Sequence, residues 1–204
     1  MPSSSKRGPY AKTAARQREI LDAAGDVFAT HGYRAGSLKE IADRVGIDAS
    51  TILHHFANKS VLLQKVLEDR DTRSLTDADP DRTAGPADTP AAFLRLARAN
   101  EKIPGIVELY TLLAAESATP DHPSNEYFVL RYARVRSEFA SAFREMADAG
   151  LLRPGVDPEF AAVSTLALWD GVQVQWMHDP DAVDVTETLR KHLELLTTVD
   201  LSAA

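Results

Sequence analysis

Between about residue 123 and residue 149 the large side chains Phe128, Tyr132, Val135, Phe139, Phe143 and Met146 recur at steps of four and three. An α-helix turns once in about 3.6 residues, so this spacing sets all of them on one face and predicts a long amphipathic helix with one buried side. The same period governs every other readable stretch of the 204-residue chain, and no segment alternates with a period of two between hairpin turns. The expected fold class is all-α, with about nine helices held together by the packing of their apolar faces.

Starts and stops are legible along the chain. Residues 12–31 place Ile20, Leu21, Ala24, Val27 and Phe28 on one face, and HGYRAG ends that helix with glycine. Ser37-Leu38-Lys39-Glu40 reads as a capping box, the serine accepting the Glu40 amide while the Glu40 carboxylate reaches back. A helix therefore starts at Ser37, turns Leu38, Ile41, Ala42 and Val45 inward, and stops at Gly46. Asp48 is placed to cap the next helix, and Asn58 the one after it. TDADPDRTAGPADTP, residues 76–90, carries proline, glycine and charge with almost no large apolar residue, the composition of a loop. Thr89-Pro90 opens a further helix that Pro104-Gly105 interrupts, and Gly150 with Pro154 stops the 123–149 helix. Asp157-Pro158 opens a helix reaching about Met177, and Asp184-Val185-Thr186-Glu187 caps a last one reaching about Val199.

Composition narrows the function classes. With no cysteine there is no disulfide, thiolate metal site or cysteine nucleophile. No stretch approaches the roughly 20 apolar residues of a membrane span, and the polar start MPSSSKRGPYAKTAARQR lacks the apolar core of a signal peptide, so a cytoplasmic protein is expected. The net charge is −7, yet residues 1–18 hold five basic side chains (Lys6, Arg7, Lys12, Arg16 and Arg18) and no acidic one. Residues 1–70 carry 11 Lys+Arg against 8 Asp+Glu, while the remainder carries 12 against 22. A basic head can meet phosphates while an acidic body is repelled by them, which orients the molecule on a nucleic-acid duplex.

Two short helices that cross steeply need a small residue in the turn and another at the crossing point, and Gly46 and Ala42 supply them. Ile41, Val45, Ile47, Ile52 and Phe56 can then lock the second helix against the first, leaving Ala49, Ser50, Thr51, His54 and His55 on or near its outer face. Short polar groups near a helix N-terminus suit base edges, and Lys39, His55 and Lys59 suit phosphates. Lys12 and Arg16, in the basic lead-in, join them as DNA-contact candidates. The pattern of two capped helices with a glycine between them also occurs in ordinary helical proteins, and a basic tail also serves solubility. Adjacent residues such as His54 and His55 point about 100° apart on a helix, and neither a Glu-x-x-His nor a His-x-x-x-His pattern accompanies them, so no metal site and no cofactor are expected.

SLKEIADRVGIDASTILHHFANKSVLL, preceded by ILDAAGDVFATHGYRAG, resembles the DNA-binding domain of the TetR family of bacterial repressors. The resemblance is most specific over residues 16–65, in HGY before the first short helix, IADRVG across the turn, and HF-x-x-K-x-x-L-L after the second. HPSNEYFVLRYARVR and LWDGVQVQWMHDPDAVD are similar to later helices of one large subgroup. The resemblance implies a homodimer with three N-terminal helices on double-stranded operator DNA and a helical body that holds a small-molecule effector. By position it implies that Ser37, Leu38 and Lys39 approach the DNA backbone, that Ala49, Ser50, Thr51 and His54 approach bases, and that His55 and Lys59 bind phosphate. Leu53 stands where many members carry a tyrosine that supports a phosphate contact, so here that contact is either lost or taken up by His54. The dimer contact is expected from the helices over about 157–177 and 184–199.

The expected organisation is a flexible basic arm (1–11), a helix-turn-helix DNA-binding domain (12–57), a connecting helix (58–75), a loop (76–90) and a helical ligand-binding and dimerisation domain (91–204). In that last domain Trp169, Gln173 and Trp176 lie at spacings that bring an indole and an amide to one helix face, either for core or dimer packing or facing a ligand. Glu116, Arg131 and Tyr132 are either a satisfied ion pair with an aromatic neighbour or the groups that orient an effector. Phe93, Tyr110, Phe128 and Trp169 point to an apolar or aromatic effector. The expected function is that of a non-enzymatic transcription repressor released from a palindromic operator by its effector. The alternatives are a helical small-molecule-binding protein or an enzyme using the body pocket. No phosphate-cradling glycine loop, metal-ligand pair or partnered nucleophile supports the enzyme.

Overall fold

The glycines and prolines that punctuate the sequence become the corners of an all-helical fold. The structure, a computed structural model, describes residues 9–77 and 85–202. Among these residues the α-helices are α1 (Pro9–Ala35), α2 (Leu38–Val45), α3 (Ala49–His55), α4 (Lys59–Asp77), α5 (Thr89–Glu101), α6 (Pro104–Glu116), α7 (Asn125–Asp148), α8 (Pro158–His178) and α9 (Val185–Leu196). A short 3₁₀ turn, Pro86–Asp88, precedes α5, and one isolated bridge pairs Leu152 with Thr197. Residues 1–8 of the expected arm lie outside the described residues, whereas 9–11 already belong to α1. Of the expected 76–90 loop, Thr76 and Asp77 extend α4, residues 78–84 lie outside the described residues, and 86–88 form the 3₁₀ turn.

The helix ends show how closely local chemistry is followed. At Gly32 (φ 73°, ψ 176°) α1 breaks and then resumes for one turn to Ala35, because the Gly36 amide donates to the Gly32 carbonyl at 3.2 Å. Ser37 Oγ accepts the Glu40 amide at 3.1 Å, but the second arm of the capping box is absent. The Glu40 carboxylate instead meets His31 Nε2 at 3.0 Å and Arg44 at 3.5 Å, since the end of α1 brings a better partner within its reach than the Ser37 amide. Gly46 (φ 70°) closes α2 in a Schellman motif, its amide donating to Asp43 at 3.3 Å and that of Ile47 to Ala42 at 3.0 Å. Asp48 occupies the N-cap position of α3 but its carboxylate accepts no capping bond, whereas Asn58 Oδ1 accepts the Val61 amide at 2.9 Å as expected.

Two apolar clusters fill the interior. The first joins α1 to α4 and draws in Ile106, Leu109, Tyr110 and Leu113 of α6 together with Phe128 of α7. The second joins α5, α7, α8 and α9 around Phe143, Met146, Ala161, Trp169, Leu189 and Leu193. Helix α6 reaches the first cluster by crossing α1 at Gly105, where a Cβ would stand 2.1 Å from the Phe28 carbonyl oxygen and 2.6 Å from that of Ala29. Both obstacles are backbone atoms of a buried helix, so no side-chain rotation relieves them. Gly105→Ala is therefore expected to force α1 and α6 apart and to lower the unfolding free energy by about 2 kcal/mol, a typical overpacking penalty. Gly85→Ala, whose Cβ meets nothing within 4 Å, is expected to change stability by less than about 0.5 kcal/mol. Chemical denaturation of both variants checks the contrast.

Candidate nucleic-acid interface and body cavity

Helix α3 presents one face to the core and the other to solvent. Ile52 and Phe56 are buried against α1, α2 and α4, while Ser50, Leu53 and His54 are exposed and Thr51 and His55 are half-exposed. Ala49 is partly buried against the same core, and Leu38 turns its side chain inward from the first turn of α2, which leaves its backbone as the part nearest solvent. Lys39 is exposed on α2, with its ammonium 2.7 Å from Asp43, a partner that raises its pKa through their hydrogen bond and charge. Arg16 lies on α1, 2.7 Å from Glu19, and Lys12 falls in the first turns of α1 with its side chain outside the described residues. Lys59 is half-buried, its ammonium 5.7 Å from the centre of the Phe28 ring, and burial lowers its pKa against the opposing pull of Glu116. The structure thus brings Ser50, Thr51, His54 and His55 to one outward surface, with Ser37 and Lys39 on the neighbouring helix.

A second site lies in the body, where α4, α5, α6, α7 and α8 enclose a cavity of about 120 Å³. Its polar wall is a network drawn from four helices. Arg131 grips Asp71 in a bidentate pair, Nε to Oδ2 at 2.7 Å and Nη2 to Oδ1 at 3.0 Å, both residues being largely buried. Arg131 Nη1 donates to the Tyr110 hydroxyl at 3.2 Å, and its guanidinium stacks 4.5 Å from the centre of the Tyr110 ring. Tyr132 donates to Asp170 Oδ2 at 3.1 Å, and the Tyr110 hydroxyl lies 3.3 Å from Asp170 Oδ1 and 3.0 Å from the Tyr132 hydroxyl. Burial pushes the Tyr110 phenol far up and raises the Asp170 carboxyl, which the two hydroxyls and Arg131 only partly offset. Burial also works against the Arg131 charge, but its hydrogen bonds to Asp71 and the oxygens around it reverse the balance and hold it protonated. Arg134 adds a contact to Asp71 at 3.0 Å, and Arg70 donates to Asn100 Oδ1.

The candidate ligand residues separate in space. Tyr110, Arg131, Trp169 and Gln173 line the cavity, and Tyr132 closes its polar wall from a neighbouring groove. Phe93 is not a lining residue; it packs on Phe139 with ring centres 4.5 Å apart and on Trp169 at 6.4 Å. Phe128 lies in the first apolar cluster beside Tyr110, and Glu116 is exposed at the end of α6 on the Lys59 side, so neither reaches the cavity. The sequence reading did not single out Asp71, Asn100 or Asp170. Asp170 directly follows Trp169 in α8, and a carboxylate in so apolar a helix is the signal that points to it.

Two consequences are measurable. Arg131→Ala strips a largely buried carboxylate of its bidentate partner and is expected to lower stability by about 3 kcal/mol in denaturant titration. A carboxyl whose pKa is raised on folding binds more protons in the native state, so its contribution to stability falls as pH rises through and above the ordinary carboxylate range. The stability of Asp170→Asn relative to the parent is therefore expected to increase with pH across that window, and a flat or opposite difference would contradict the buried, proton-favouring environment.

Comparison with known proteins agrees with this geometry. The family model "Bacterial regulatory proteins, tetR family" matches residues 20–66, which span most of α1 through α4, and "BetI-type transcriptional repressor, C-terminal" matches residues 112–198. The HTH-type transcriptional repressor KstR2 of Mycolicibacterium smegmatis is 38% identical over 56 residues, a stretch that covers 28% of this chain and 27% of the relative. The match therefore spans about a quarter of the relative's length. Among solved structures, SmeT, the repressor of the Stenotrophomonas maltophilia multidrug efflux pump SmeDEF, superposes with a TM-score of 0.70 at 22% identity, covering 94% of this chain and 96% of that one. FadR from Bacillus subtilis in complex with stearoyl-CoA superposes with a TM-score of 0.70 at 18% identity, covering 90% and 98%. With two family models matching its N-terminal helices and its body, and the whole fold shared with regulators of this kind, the chain belongs to the TetR family of bacterial regulatory proteins.

Proposed function

We propose that this chain is a DNA-binding transcriptional regulator, a repressor released from a palindromic operator when a small molecule occupies the body cavity. The observation that carries the reading is the double role of α4 and α6. Leu62, Leu63, Val66 and Leu67 of α4 and Ile106, Leu109 and Leu113 of α6 complete the core under α2 and α3. About one turn beyond Leu67, Arg70 and Asp71 of α4 line the cavity, and on α6 Val107 and Tyr110, interleaved with the core residues, line it too. An effector that binds better to one arrangement of these helices shifts the population of α3 orientations, and only that differential affinity moves it. The cavity's ionisable groups are hydrogen-bonded to one another, with Arg131 on Asp71 and the Tyr110 and Tyr132 hydroxyls on Asp170, an arrangement suited to holding and sensing rather than to proton transfer.

The outer face of α8 supports a dimer. Phe160, Val163, Ala167, Gly171 and Val174 recur there at steps of three and four, all exposed, with Phe160 at 65%, and Leu195 of α9 is exposed at 73%. An apolar helical stripe of this length on a charged protein calls for a partner surface, and a second copy of α8 and α9 supplies a matching one. The two α3 helices then enter successive major grooves about 34–36 Å apart.

Binding of the purified chain to DNA from its own upstream region, followed by fluorescence anisotropy, tests the reading. Affinity is expected to fall steeply as salt is raised, and to fall at least about tenfold in the Thr51→Ala, His54→Ala double variant, the loss of one or two base contacts. Full affinity in the double variant would remove α3 as the reading helix. Phe160→Asp with Leu195→Asp is expected to yield monomers at micromolar concentration in sedimentation velocity. A dimer that survives both charges places the interface elsewhere.

A further inference from the structure

On the cavity wall one buried polar group has no hydrogen-bond partner among the described residues. Trp169 is 5% exposed, and its indole Nε1 is buried without a hydrogen bond. Gln173, four residues along the same helix, is 6% exposed and lines the same cavity. Residues four apart on a helix share a face, so the two groups stand side by side on one wall. An indole N–H is donor-only, and a carboxamide offers both a donor and an acceptor. A buried donor left unpaired is unfavourable in the free protein and becomes a source of affinity for a ligand that supplies an acceptor.

The remaining walls decide the rest of the ligand's chemistry. Leu96, Val135, Phe139 and Leu166 are apolar. Arg70, Arg131 and Arg134 face Asp71, Glu138 and Asp170, so positive and negative groups are balanced in number and a formal charge on the ligand finds no excess of the opposite sign. A cationic ligand also finds the Tyr110 ring taken, because the Arg131 guanidinium already stacks on it at 4.5 Å. A carboxylate would meet Arg70, whose partner Asn100 is neutral, but also the carboxylates of Asp71 and Asp170. The volume of about 120 Å³ is slightly below the roughly 150 Å³ that admits a benzene ring, so one ring or its equivalent is the size that fits with small adjustment.

Resting on the reading of this cavity as the effector site, we infer that its ligand is an uncharged, apolar molecule about one ring in size that carries a carbonyl-type oxygen, held by Trp169 Nε1–H and the Gln173 amide. Calorimetric titration of the full-length chain, without DNA, with four probes of similar shape tests this: acetophenone, ethylbenzene, benzoate and benzylamine. Acetophenone is expected to bind at least about tenfold more tightly than each of the other three, the worth of one or two hydrogen bonds made in a buried site. Trp169→Phe and Gln173→Leu are each expected to erase most of the preference for acetophenone over ethylbenzene while leaving ethylbenzene binding within about threefold, since both replacements are apolar and of similar shape. Tightest binding of benzoate overturns the inference in favour of an anion at Arg70, and tightest binding of benzylamine overturns it in favour of a cation. Equal binding of acetophenone and ethylbenzene, or no binding of any probe, overturns it outright. If either variant fails to fold, the ranking of the four probes on the parent chain decides alone. Because no DNA is present, the result is separate from the regulatory reading. A correct ranking with no operator binding leaves the site and removes the regulator, and the converse outcome does the reverse.

Discussion

Helix α6 meets the backbone of α1 at Gly105, and the rest of the architecture is arranged around that crossing. With a Cβ there placed 2.1 Å from the Phe28 carbonyl oxygen, only glycine lets the two backbones meet. That meeting brings Ile106, Leu109 and Leu113 into the core that Phe28, Ile41, Ile52 and Phe56 form beneath the two short helices. A second grip lies one turn away, where α1 breaks at Gly32 and the Glu108 carboxylate fills the space that a side chain at 32 would need. Packed interiors transmit displacement rather than absorb it, so a shift of α6 is felt at the end of α1 and at α2 beyond it. His31, in that last stretch of α1, lies 3.0 Å from the Glu40 carboxylate of α2, which extends the connection by a polar contact.

The far side of α6 carries the opposite kind of chemistry. Tyr110 leaves the apolar core through its ring and enters the cavity network through its hydroxyl, where Arg131, Tyr132 and Asp170 meet it. Two phenolic protons serve Asp170 and the Tyr110–Tyr132 contact, while Arg131 spends two nitrogens on Asp71 and a third on Tyr110. Buried charges contribute little net stability when paired, but a broken pair is strongly unfavourable. The network therefore acts less as glue than as a register, admitting one arrangement of α4, α6, α7 and α8 in which every partner is met.

Much of this was legible in the sequence, and the parts that were not share a physical cause. Helix starts and stops followed from residues whose effect is local, as with Gly46 in its Schellman turn, Asn58 as a cap and the Pro104-Gly105 break. The outward face of α3 followed from period alone, because burying Ile52 and Phe56 fixes where Ser50 and His54 must point. What depends on a neighbour distant in sequence was not readable. Glu40 looked like the return arm of its own capping box until α1 brought His31 beside it. Nothing in the sequence marks Asp71 among the charges of the connecting helix, and only the fold places Arg131 and Arg134 upon it across 60 and 63 residues of chain. Phe93, Phe128 and Glu116 were chosen by residue type, and type does not distinguish a ring that packs on another ring from one that lines a cavity.

The charges around the short helices show how such a protein meets a polyanion without carrying a large fixed positive patch. Lys39 is matched by Asp43 and Arg44 by Glu40 on α2, and Arg16 by Glu19 on α1, each pair within one helix and at least a third exposed. Exposed pairs of this kind are worth about 1 kcal/mol or less, so each cation can leave its carboxylate for a phosphate at small expense. The carboxylates left behind are repelled by the same phosphates, and that repulsion limits how close α1 and α2 can lie to the duplex. Lys59 behaves differently, since its ammonium lies over the Phe28 ring and its charge is drawn toward Glu116. Moving it outward to a phosphate takes it off the ring of Phe28, the residue whose carbonyl meets Gly105, which links the electrostatics of the outer face to the same junction that leads to the cavity.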